Sequence, residues 1–149
     1  EPDVDNFKLL YKNTRKFDNV YWFRKALVSN DDLTREFFIN TKTNKGTHSF
    51  LVKRGRDKVS VECRNINKII KKYKINIIKM DVKGAEYELL TSMKFKDIDE
   101  LIFEYHFTIL KNKKYFELIK LLKKKFIYVD YKRDPKKCWT TLVYCSNRS

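Results

Sequence analysis

Apolar residues recur at helical spacing from the start of the chain. Val4, Phe7, Leu10 and Tyr11 predict a helix over 4–17, with Asp3 placed to cap it and Asp5 in its first turn. Val20 to Phe23 and Ala26 to Val28 are rich in β-branched and aromatic residues and end in Ser29-Asn30-Asp31-Asp32, which predicts a strand closed by a turn. Leu33 to Ile39 and His48 to Lys53 read as shorter strands around a polar loop, Asn40 to Thr47, and Val59 to Cys63 continues the pattern. Ile66, Ile69, Ile70 and Tyr73 then fall on one helical stripe over 65–74.

The run Ile75 to Val82 is almost continuously apolar, as expected of a strand buried on both faces of a parallel sheet. Gly84 to Met93 predicts the helix that covers it. Leu101 to Tyr105 reads as another buried strand, and Tyr115, Ile119, Leu122 and Phe126 mark the inward side of a further helix. The end breaks this alternation. Ile127, Val129 and Tyr131 alternate as a strand, Arg133-Asp134-Pro135 turns, and Trp139 to Cys145 returns without a helix, so these two strands must be antiparallel neighbours. The expected fold is α/β: a mostly parallel sheet finished by an antiparallel hairpin.

Composition narrows this only a little. A chain of 149 residues, 42% hydrophobic, can bury one ordinary core, so a single compact domain over 1–149 is expected. No apolar stretch is long enough to span a bilayer and no signal sequence opens the chain, so the expected location is cytoplasmic. Three cysteines, Cys63, Cys138 and Cys145, fit neither a zinc ligand set nor a disulfide framework, and no residues are assigned to a metal. The net charge of +15 could attract nucleic acid or an anionic partner, but the lysines are spread along the whole chain. Lys111 to Lys114 and Lys123 to Lys125 are the densest runs, and such runs are usually solvated helix faces.

The specific signal is Ile78-Lys79-Met80-Asp81-Val82-Lys83-Gly84-Ala85-Glu86 followed by Leu89-Leu90, which resembles the strand-turn-helix signature of FkbM-type methyltransferases. Glu1-Pro2-Asp3 with Asn6, Phe7 and Leu10 resembles the acidic end of that family's second strand and the helix behind it. Ala26 to Ser29 resembles the end of its third strand, and Leu101 to His106 the strand after the signature. The resemblance implies a Rossmann-like class I methyltransferase sheet that uses S-adenosylmethionine, with a sugar or glycan-like small molecule as acceptor of an O-linked methyl group. It also implies that this chain is N-terminally incomplete, lacking the first strand and the glycine-rich turn. Gly46, Gly55 and Gly84 are the only glycines, so no glycine-rich loop can be assembled from them.

Open α/β sheets bind ligands at the C-terminal ends of their strands. The resemblance gives Glu1 the ribose hydroxyls and places Ala26 and Asp81 beside the cofactor. Asp81, at its strand's end, either faces cofactor and substrate or forms an ion pair or helix cap. Glu104 and His106 share a strand face, and His106 is either a base for a substrate hydroxyl or a satisfied structural histidine. Glu86 either accepts a hydrogen bond in the site or favours a helix N-terminus. Lys83 stands where the family usually has an acid. The competing function is a catalytically inactive methyltransferase-like module that holds nucleic acid or an anionic partner on its basic surface.

Overall fold

The computed structural model of the chain describes residues 1–39, 49, 56–107, 109–110, 112–131 and 139–148. These fall into two compact units, 1–65 and 66–149.

In the first unit, helix α1 (Val4–Thr14) starts where Asp3 caps it, the carboxylate accepting the Asn6 N–H at 2.9 Å. The strands are β1 (Ala26–Val28), β2 (Thr34–Ile39) and β3 (Asp57–Asn65). They form a sheet in the order β1-β3-β2, with β1 parallel and β2 antiparallel to β3. Ala26, Val28, Phe37, Val61 and Cys63 make its small core. Lys25 and Glu62 pair beside it, and the Lys25 ammonium holds the Glu62 carboxyl below its ordinary range. Val20 to Lys25, expected as the start of a strand, is irregular, with Tyr21 and Phe23 exposed. Strand-forming residue types need a partner strand, and among the described residues pairing begins only at Ala26. The expected loop 40–47 and strand 48–53 lie outside the described residues except for Ser49, which bridges Phe38.

The second unit carries α2 (Ile66–Tyr73), β4 (Ile77–Met80), α3 (Glu86–Ser92), β5 (Glu100–His106), α4 (Asn112–Leu122), β6 (Tyr128–Asp130) and β7 (Thr140–Ser146). Its sheet runs β4-β5-β7-β6. The β6–β7 pair is antiparallel, as expected of the final hairpin; the turn at 133–135 is outside the described residues. β5 is the spine. Leu101, Phe103 and Tyr105 alternate onto a face that is wholly buried with Val143 and Cys145, and Tyr115, Leu118 and Leu122 of α4 are as deeply enclosed.

Two expectations need correction. The sheets are mixed rather than mostly parallel: among the described residues β1–β3 and β4–β5 pair parallel, whereas β2–β3, β5–β7 and β6–β7 pair antiparallel. β4 is not buried on both faces either. It stands at the end of its sheet with Ile77 half exposed, because its apolar run reflects one covered face plus isoleucines left at an edge.

Candidate functional site

The parallel register of β4 on β5 pairs Met80 with Phe103. One residue further along each strand are Asp81, just past the end of β4, and Glu104, and two residues on from Glu104 is His106, on the same face of β5. The sequence therefore delivers three polar groups to one rim through strand alternation and register alone. The Asp81 Oδ1 lies 3.8 Å and the Glu104 Oε2 3.9 Å from His106 Nε2.

The chain then reverses into α3 through Lys83 and Gly84, both at positive φ, 44° and 110°. Gly84 needs its missing Cβ there, and Lys83 is a non-glycine residue held in a sparsely populated region of the kind that collects at functional sites. The turn aims two groups. Lys83 Nζ reaches the Asp81 carboxylate at 3.2 and 3.3 Å, so Lys83 is the cation beside Asp81. Glu86, fully buried, accepts the Gly84 N–H on both carboxylate oxygens, at 3.0 and 2.8 Å, and its Oε1 sits 2.6 Å from His106 Nδ1.

These contacts set the state of the imidazole. A carboxylate whose oxygens both accept N–H bonds is an acceptor toward His106 as well, so Nδ1 carries the proton and Nε2 is the nitrogen turned toward Asp81 and Glu104. Burial alone would lower the His106 pKa; the hydrogen bond to Glu86 and its charge, helped by Glu104 and opposed by Lys83, leave it raised. His106 is thus a buried histidine tethered on one side, with two partly exposed carboxylates facing the other. Asp81, Glu104 and His106 each offer one atom that could bind a metal ion, and these atoms lie within 4.8 Å of one another.

The remaining expected site residues belong to the first unit. Glu1 precedes α1, exposed, and its Oε1 accepts the Asp3 N–H at 2.9 Å. The Ala26 methyl is enclosed in the core of the β1-β3-β2 sheet, so only its backbone is available to a ligand. Of the basic runs, Lys114 lies over the Tyr87 ring and Lys123 over Tyr131, while Lys111 is outside the described residues. Sequence reasoning left Glu86 undecided. Its place two residues after a glycine that must turn the chain was the available signal, but burial against His106 follows only from the packing of α3 on β5.

An α/β chain with acidic residues and a histidine gathered at the C-terminal ends of adjacent parallel strands has the architecture of a ligand-binding enzyme domain. Residues 4–128 match the methyltransferase FkbM domain, and the chain belongs to that family. No curated protein and no solved structure matches it.

Proposed function

We propose that this chain serves the transfer of a methyl group from S-adenosylmethionine to a hydroxyl of a sugar or glycan-like small molecule. The observation that carries the reading is the cluster of Asp81, Glu104 and His106 at the ends of β4 and β5 in a chain of this family. The bound cofactor would supply a methyl carbon made electrophilic by its sulfonium. Carboxylates suit a cationic ligand of that kind, and Asp81 would face it.

His106 is the base in this reading. Its Nε2 would accept the proton of the acceptor hydroxyl. Glu86 holds Nδ1–H, keeps the Nε2 lone pair outward and stabilises the imidazolium that results. Glu104 and Asp81 orient the acceptor. General-base help of this sort is worth roughly a hundredfold to ten-thousandfold in rate.

Calorimetric titration with S-adenosylhomocysteine tests the first half of the reading, and saturable binding is the expected result. His106→Gln should then depress kcat by roughly 100-fold or more while leaving that affinity within a few fold. A protein that takes up no S-adenosylhomocysteine refutes the assignment.

A further inference from the structure

The charges around His106 do not balance as they stand. Asp81, Glu86 and Glu104 surround one imidazole, and Lys83 is the ammonium drawn to Asp81. With the imidazole neutral, three carboxylates against one lysine leave two negative charges among the described residues. Nδ1 donates to Glu86, so the Nε2 lone pair is aimed at the lone pairs of two carboxylate oxygens at 3.8 and 3.9 Å, too far for a hydrogen bond and close enough to repel. His106 is more than nine-tenths buried, whereas Asp81 and Glu104 keep part of their side chains in water. A positive charge belongs between these atoms.

We infer that Asp81, Glu104 and the Nε2 of His106 form a site for one divalent transition-metal ion, with Glu86 as the buried carboxylate that fixes the ligating histidine. A metal-bound histidine characteristically donates its other ring N–H to a carboxylate, which sets the tautomer and the ring's orientation. Glu86 is that acceptor at 2.6 Å, and it is itself held by the Gly84 N–H, shared between its two oxygens. One imidazole with two carboxylates favours manganese, iron, cobalt or zinc over magnesium or calcium, which prefer oxygen alone. Ligand atoms on one ion at about 2.0–2.2 Å stand roughly 3–3.5 Å apart. The three atoms lie within 4.8 Å, and side-chain rotation of the partly exposed Asp81 and Glu104 can supply the contraction. Lys83 is the competitor: its ammonium must leave Asp81 when an ion arrives.

Resting on the methyl-transfer reading, the open positions of the ion would take the acceptor oxygen and make its proton acidic enough to pass to water. Nε2 cannot coordinate an ion and accept a proton together. The base role described above therefore belongs to the ion-free protein.

Titrating the metal-stripped, untagged chain with cobalt(II), read by visible absorption, tests the site without any turnover. One ion per chain with ligand-field bands is expected. Glu104→Gln should weaken binding at least tenfold, His106→Ala should abolish it, and Lys83→Met should tighten it. An unbound wild-type chain, or affinities that Glu104→Gln and His106→Ala leave alike, overturns the site. If His106→Ala fails to fold by circular dichroism, the Glu104 and Lys83 variants, changed at the rim, decide. S-adenosylhomocysteine titrated in chelator separates the two readings: binding there without cobalt uptake removes only the ion site, and cobalt uptake without it removes only methyl transfer.

Discussion

The two sheets of this protein use strand alternation to different ends. In the first unit β3 is flanked by β1 and β2 and closes a core of five buried side chains among the described residues, and α1 buries none of its own residues. In the second unit β5 has one face sealed by Phe103, Tyr105 and their neighbours while the other presents Glu104 and His106. A strand can hold a buried histidine at fixed distances from two carboxylates only if its opposite face cannot shift. The depth of packing behind β5 is thus part of the site, and among the described residues nothing comparable stands behind α1.

Phe103→Ala tests that contrast most severely. The ring is fully buried in a central strand, and removing it should cost about 3–5 kcal/mol through lost transfer energy and the cavity left behind. Urea denaturation followed by circular dichroism measures the loss. A cost below about 1 kcal/mol would mean that the face behind β5 is loosely packed.

Glu86→Gln probes the other face. It removes the negative charge and one of the two acceptor oxygens that Gly84 and His106 share, at a cost of roughly 1–3 kcal/mol. The cost should depend on pH in a definite sense. The folded imidazole titrates above its ordinary value of about 6.5, so the stability that its partner confers is fully present below that pH and is lost as pH rises through the higher folded value. The variant should therefore be penalised more at about pH 5.5 than at about pH 9. Equal penalties at the two would show that His106 gains no proton affinity from Glu86. In the same turn, Gly84→Ala should cost about 1–2 kcal/mol, because φ of 110° puts a Cβ against the backbone.

The sequence made part of this visible. Periodicity located α1, α2, α3 and α4, the Asp3 cap and the final antiparallel hairpin, since each is decided within a few residues. The motif around Asp81 marked the family, and the shared parity of Glu104 and His106 put them on one face. What it could not supply depends on partners far along the chain. Ile75 to Val82 has the same apolar run whether its strand is central or at an edge, and only the sheet order decides that Ile77 is half exposed. The direction of pairing is likewise invisible in a strand's own residues, so the sheets read as mostly parallel and are mixed. Lys83 showed only as a lysine where the family usually has an acid, and its positive φ, which turns it onto Asp81, has no marker in a lysine.

The cysteines give a finer gauge of the sealed face. Cys145 is fully buried on β7, and burial pushes its thiol up to about 12, so very little reactive thiolate exists at about pH 8. Alkylation there should wait on opening of the second unit and speed up in Phe103→Ala. Rapid labelling of Cys145 in the native protein would show that the β5–β7 face opens readily.

The smallest effect is expected in α1. Leu9 is 58% exposed, and Leu9→Ala exchanges one good helix former for a slightly better one. Little apolar surface returns to water and propensity partly offsets it, so the change in stability should stay within about 0.5 kcal/mol. The same substitution at Leu118 of α4, wholly buried, should cost about 2–5 kcal/mol. If Leu9→Ala instead costs as much as Leu118→Ala, the apolar residues of α1 are covered in solution, and the contrast between a site braced from behind and a helix whose own residues stay exposed does not hold.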